Sequence, residues 1–125
     1  MSATVLLIED NEQNRYLTTF LLERNGYTVI PAFDGPQGIR EASKNAPDIV
    51  LVDIQLPLMD GYAVAAKLRE LPALQDTPII AVTSYAMVGD REKALAAGCT
   101  GYIEKPINPE TFVAEIEDIA KGGRR

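Results

Sequence analysis

Short apolar runs alternate with helix-like stretches five times along this chain. The runs Val5–Ile8, Tyr27–Ile30, Ile49–Val52, Ile79–Val82 and Tyr102–Ile103 are short and rich in β-branched or aromatic residues, which predicts strands. Between consecutive runs lie about a dozen residues or more, the length a parallel crossover needs. Their near-continuous hydrophobicity predicts strands covered on both faces, as in a parallel α/β sheet.

The intervening stretches carry helix signals. Asn11 is placed to cap a first helix with an apolar stripe of Leu17, Phe20 and Leu21, and Gly26 follows as its stop. A second helix falls near Pro36 to Asn45, with its signal weakened by Gly38 inside it. Asp60 is placed to cap a third helix carrying Val64, Leu68 and Leu71, and Asp90 a fourth that ends at Gly98. Asn108-Pro109 forms a cap and first-position pair, after which Phe112, Ile116, Ile119 and Ala120 share one face. Pro31 suits an edge strand, and so does the short fifth run with Glu104. With right-handed crossovers these restrictions predict a flavodoxin-like doubly wound (βα)5 fold, a parallel five-stranded sheet of order 2-1-3-4-5.

Length narrows the organisation to one domain over residues 1–125, with no linker or repeat. No secretory leader is expected, because Met1 to Thr4 lacks a basic region and the first apolar run stops at Glu9-Asp10. A single cysteine, Cys99, excludes an intrachain disulfide. Together these predict a cytoplasmic protein that does not enter a membrane. The net charge of -6 and scattered basic residues argue against nucleic acid as a partner, which needs concentrated positive charge. The basic cluster Lys121-Gly122-Gly123-Arg124-Arg125 is expected to complement a helix C-terminus. Histidine is absent, which excludes histidine catalysis, histidine metal ligands and a phosphohistidine-donor role.

Chemistry gathers at the strand ends. In open parallel sheets, ligands bind beyond the carboxyl ends of the strands, near the point where strand order reverses. Those ends here are Glu9-Asp10, Asp53, Thr83-Ser84 and Lys105-Pro106. One such aspartate can simply start a turn or cap a helix. Four polar strand ends converging on one crevice are a different matter. Packed carboxylates repel and favour a cation, and hard oxygen ligands without histidine point to Mg2+. A carboxylate beside such an ion is equipped to attack phosphorus and form an acyl phosphate. Lys105 would neutralise the transferring oxygens and Thr83 would donate a hydrogen bond.

At this point the chain resembles the receiver domains of two-component response regulators, of the single-domain chemotaxis or cell-fate type, from about Thr4 to Ala120. The matching pieces are Leu7-Ile8-Glu9-Asp10-Asn11, Val52-Asp53-Ile54-Gln55-Leu56-Pro57-Leu58-Met59-Asp60-Gly61, Val82-Thr83-Ser84-Tyr85-Ala86 and Gly101-Tyr102-Ile103-Glu104-Lys105-Pro106. The resemblance implies Asp53 as phosphoacceptor, and Glu9 and Asp10 as the acidic pair that holds Mg2+ with Asp53 and the Gln55 carbonyl. It implies Thr83 and Lys105 as phosphoryl-binding groups, Thr83 and Tyr102 as the switch pair, and a cis peptide at Lys105-Pro106. Gln55 and Tyr85 fall where the family tunes dephosphorylation. Arg15 and Tyr16 are expected on the solvated face of the first helix, a face that meets the phosphodonor in this family.

The donor implied is a histidine kinase or a histidine phosphotransfer protein, and the output is a change in binding to a downstream protein. The protein would be no enzyme beyond its own phosphorylation and dephosphorylation. A haloacid-dehalogenase-type phosphatase needs a second aspartate two residues after the nucleophile, where Gln55 stands. A flavodoxin needs phosphate-cradling hydroxyls and glycines where Glu9-Asp10 stands. An unphosphorylated docking module has no use for the intact acidic set. A receiver acting mainly as a phosphate relay or sink, or as a fragment of a larger regulator, is the alternative.

Overall fold

In a computed structural model of the chain, residues 3–84 and 88–122 are described. The apolar runs form one parallel sheet of order β2-β1-β3-β4-β5, as expected. The strands are β1 (Thr4–Ile8), β2 (Thr28–Ala32), β3 (Ile49–Asp53), β4 (Ile79–Thr83) and β5 (Gly101–Glu104). Between and after them lie α1 (Glu12–Arg24), α2 (Gly35–Asn45), α3 (Gly61–Glu70), α4 (Asp90–Ala96) and α5 (Phe112–Gly122). Of the residues singled out above, Tyr85, Ala86 and the tail Gly123-Arg124-Arg125 lie outside the described residues.

Side chains alternate across each strand, so each strand feeds two cores. Val5, Leu7, Ile49, Leu51, Ile80 and Val82 pack with Leu21 and Leu22 of α1 and Phe112 and Ile116 of α5. Leu6, Ile8, Val50, Val52, Ile79 and Ala81 pack with Ala42 of α2, Val64 and Leu68 of α3 and Ala94 of α4. Helices thus cover both faces, which explains the unbroken hydrophobicity of the central strands. Pro31 sits on the outer strand opposite Leu7, where the missing N–H interrupts no second ladder.

Three helix expectations are corrected in detail. The buried stripe of α1 is Thr18, Leu21 and Leu22, while Leu17 and Phe20 stay exposed. The stripe is rotated by one position, and Leu17 and Phe20 become its two flanks. The second helix forms as expected. Inside it, Gly38 is buried against Ile8, and a Cβ there would collide with the Ile8 side chain, so the glycine lets α2 lie directly on β1. Asp90 opens α4 from inside its first turn, because Gly89, at φ 93°, takes the cap position. Asn108 caps a turn that precedes α5. Its side chain accepts from the Glu110 N–H and its carbonyl from the Phe112 N–H, and the regular helix starts at Phe112.

Asn11 and Asp60 cap α1 and α3 as expected, accepting from the N–H groups of Asn14 and Ala63. These caps matter for the site, because each starts the helix that follows a strand end carrying a carboxylate.

Candidate functional site

The ends of β1, β3, β4 and β5 point into one crevice, as the strand order requires. Glu9 follows β1, and its N–H donates to the Ala32 carbonyl at 3.0 Å. Asp53 is the last residue of β3, Thr83 the last of β4, and Lys105 follows β5 with its N–H on the Thr83 carbonyl at 2.7 Å. Sheet hydrogen bonding therefore continues past the strands and fixes the backbone under the side chains.

Glu9, Asp53 and Thr83 are buried, and Asp10 is exposed at the mouth. One carboxylate oxygen from each of Glu9, Asp10 and Asp53 lies within 4.8 Å of the others. The Lys105 Nζ, on a side chain only 10% exposed, donates to Glu9 Oε1 at 2.7 Å and to Asp53 Oδ2 at 3.4 Å. The Asn11 N–H donates to Glu9 Oε2 at 3.2 Å and the Gln55 N–H to Asp53 Oδ1 at 3.0 Å. Burial pushes the Glu9 carboxyl up from its ordinary value. The bond from Lys105 pulls it back, and the neighbouring Asp53 charge raises it further. One ammonium thus faces two buried carboxylates, with a third close by. That donor set, all oxygen and in excess of its countercharge, fits a hard divalent cation.

Gly61 holds the loop after Asp53 against its strand. Its N–H donates to the Ile54 carbonyl at 2.9 Å, and a Cβ there would meet the Asp53 carbonyl oxygen and Ile54 Cα at 2.5 Å each. Both obstacles are backbone. Gly61→Ala is expected to lose about 1–3 kcal/mol of stability and to displace Asp53. Urea unfolding compared with wild type checks the first, and a changed Asp53 amide shift checks the second.

Tyr102 pairs with Ala81 across β4 and β5 and so shares a sheet face with Thr83, two residues further along β4. Its hydroxyl is already buried and has no hydrogen-bond partner among the described residues, and burial, then Asp90 and Glu104, push its pKa up. The Lys105-Pro106 peptide is cis. Ser84 is exposed and lines a cleft of about 370 Å³ with Asn14, Leu17, Lys105, Pro106 and Ile107, which opens the lysine side of the site to solvent. A second groove of about 450 Å³ runs between α1 and β2, lined by Arg15, Tyr16, Phe20, Pro31 and Phe33.

Arg15 is the residue that sequence reasoning misplaced. Tyr16 is solvated, at 76% exposure, but Arg15 is half-buried and its Nη1 donates to the Glu9 carbonyl at 2.9 Å. A basic residue one turn into a helix after an acidic strand end is the only signal the sequence carries for it.

This constellation agrees with what known proteins resemble the chain. Residues 5–117 match the response regulator receiver domain, and the chain belongs to that family. It is similar to the polar-differentiation response regulator DivK of Brucella ovis, at 39% identity over 117 residues that cover 94% of this chain and 95% of the relative. Among solved structures, the chemotaxis protein CheY4 of Vibrio cholerae matches with a TM-score of 0.91 at 28% identity, over 95% of this chain and 99% of that one. The receiver domain of a sensor histidine kinase from Pseudomonas aeruginosa, which has a magnesium ion in its active-site cleft, matches at 0.88 and 33% identity, over 97% and 99%. The chain is thus a phosphorylation-activated receiver of two-component signalling. None of its helices, among the described residues, is long and apolar enough to cross a membrane.

Proposed function

We propose that this receiver accepts a phosphoryl group on Asp53 from a phosphohistidine donor, a histidine kinase or a histidine phosphotransfer protein, in a Mg2+-dependent reaction in the cytoplasm. The observation that carries the reading is the convergence of the Glu9, Asp10 and Asp53 carboxylates on one another, with the Lys105 ammonium on two of them, Glu9 and Asp53, at three strand ends. Glu9, Asp10, Asp53 and the Gln55 carbonyl are the groups that would hold the metal. When bound, Mg2+ supplies positive charge against the phosphoryl oxygens.

The chain's own residues do the rest. An Asp53 carboxylate oxygen attacks phosphorus as the phosphorus–nitrogen bond of the donor breaks, and the electron pair leaves on the imidazole nitrogen. The product is an acyl phosphate. Lys105 offers a mobile ammonium to the transferred group, and Thr83 offers a hydroxyl at the neighbouring strand end. Catalysis is confined to the protein's own phosphorylation and dephosphorylation. The output is a changed preference among binding partners, biased through Thr83 and Tyr102 toward the face of α4, β5 and α5.

With Mg2+ and acetyl phosphate, intact-mass analysis is expected to show one added phosphoryl group. Borohydride trapping should place it at Asp53 as homoserine. No adduct with small donors or with kinases would overturn the reading, and an adduct at another residue would overturn the site.

The supporting groups separate by what they touch. Asp10→Asn removes a charged metal ligand and is expected to weaken Mg2+ binding. Lys105→Ala is expected to leave metal binding largely intact and to slow phosphoryl uptake about tenfold or more, as loss of one electrostatic donor does. Mg2+ titration followed by initial-rate measurement distinguishes them. Wild-type behaviour of both variants would mean that other residues build the site.

A further inference from the structure

Arg15 makes two contacts that belong to different loops. Its Nη1 donates to the Glu9 carbonyl at 2.9 Å, and its Cζ lies 4.2 Å from the centroid of the Phe33 ring, just past β2. Its own N–H continues α1 by donating to the Asn11 carbonyl at 2.9 Å, so the side chain springs from the first turn of a capped helix. The guanidinium is thereby clamped between an aromatic face and a main-chain oxygen, an arrangement suited to its planar, multi-donor shape.

The peptide it grips joins Glu9 to Asp10. On one side the Glu9 N–H is tied to the Ala32 carbonyl at 3.0 Å, and on the other the Glu9 carbonyl is tied to Arg15. The Glu9 carboxylate has its own anchors in Lys105 and the Asn11 N–H. Asp10 is exposed, and among the described residues its carboxylate accepts no hydrogen bond. The direction in which the Asp10 side chain leaves the backbone is therefore set by the two peptides that flank it, one held at its carbonyl by Arg15 and the other at the Asn11 N–H by Glu9.

We propose that Arg15 is a positioning residue for Asp10: backed by Phe33, it fixes the Glu9–Asp10 peptide so that the exposed carboxylate points into the metal-binding mouth. The inference rests on the receiver reading of the site. Its sign opposes simple electrostatics. Removing a positive charge near a cation site should tighten cation binding by reduced repulsion. Removing a positioning group should weaken it, by about tenfold where a ligand's outer support is lost.

The test uses the full chain, with Mg2+ alone as the probe and the metal-free protein in chelator as reference. Arg15→Met is expected to move the Asp10 amide resonance before metal is added, to leave the melting midpoint in chelator close to wild type, and to weaken Mg2+ binding about tenfold. Arg15→Lys keeps the charge and one donor and should fall between the two. Mg2+ affinity unchanged or tightened in Arg15→Met would overturn the proposal. If that variant does not fold, Phe33→Leu serves instead. It removes the aromatic backing, keeps the charge, and is expected to weaken Mg2+ binding severalfold, and unchanged affinity overturns the proposal. A wild-type protein that binds no Mg2+ would overturn the site reading together with this inference, whereas wild-type binding with an indifferent Arg15→Met overturns the inference alone.

Discussion

Asp53→Asn is expected to take up no phosphoryl group and yet to be at least as stable as wild type in the absence of metal. The amide keeps the shape of the carboxylate and removes the nucleophilic oxygen pair. It also removes one of two buried negative charges that share a single ammonium. Glu9 already has its pKa raised above the ordinary 4.5, chiefly by burial and partly by Asp53. A raised carboxyl pKa means that the folded protein holds the proton more tightly than the unfolded chain. Stability is therefore greatest below about 4.5 on this account and falls as pH rises through the folded pKa of Glu9. The asparagine variant loses one cause of that shift and should show a shallower fall. Intact mass after acetyl phosphate treatment checks the first part, and urea unfolding in chelator across the acid to neutral range checks the second. Phosphoryl uptake by the Asp53→Asn variant would displace the acceptor assignment. A variant less stable than wild type at neutral pH would mean that the carboxylates are not in conflict.

The largest stability loss is expected at Arg69, far from that chemistry. This side chain is only 8% exposed and reaches the main chain of several segments. Its Nε and Nη2 donate to the Gly98 carbonyl at 3.0 and 2.7 Å, and its Nη1 to the carbonyls of Leu74 at 2.7 Å and Thr77 at 2.8 Å. Gly98, at φ 106°, turns the chain out of α4 so that its carbonyl meets the guanidinium, and a Cβ there would press on the Arg69 stem at 3.3 Å. Arg69→Met fills the stem but leaves these buried carbonyls without donors. Each orphaned group costs roughly 1–3 kcal/mol, so about 3–5 kcal/mol in total is expected after partial relaxation. In a chain of this size that lowers the melting midpoint by on the order of 10–20 °C. Arg69→Lys should recover only part, since one ammonium cannot span carbonyls on both sides. Thermal unfolding of the three proteins settles it, and a loss below about 1 kcal/mol for Arg69→Met would show that water replaces the guanidinium.

Sequence pattern was informative where a signal is local or topological. Strand alternation, the caps at Asn11 and Asp60, and Pro31 at an edge each follow from chemistry within a few residues. The site carboxylates were legible because strand ends in a doubly wound sheet must converge. What escaped was the use of side chains across elements. The face of α1 is set by how the helix rests on β1 and β3, and its own apolar residues, Leu17 and Phe20 included, do not specify that rotation. Gly38 reads as a weakness until Ile8 is seen beneath it. Arg15 and Arg69 look alike as charged helix residues, yet one grips the peptide beside the acidic pair and the other supports main-chain turns. Nothing within either helix distinguishes them, because the accepting carbonyls of Glu9 and Gly98 come from outside those helices.

The ion pair between Lys105 and Glu9 joins residues 96 positions apart, from the segments after the last strand and the first. That separation has a consequence in time. While the chain is being made, Asp53 emerges with the acidic pair and no countercharge, and β4 alone cannot supply one. Only when β5 docks does the ammonium arrive, so the complete site appears at once and late. A truncation before Lys105 would carry every carboxylate of the site without the ammonium that two of them share. The same closure ties the site to the sheet's edge: a molecule whose β5 has peeled away from β4 loses the shared ammonium while β1 and β3 still hold the carboxylates.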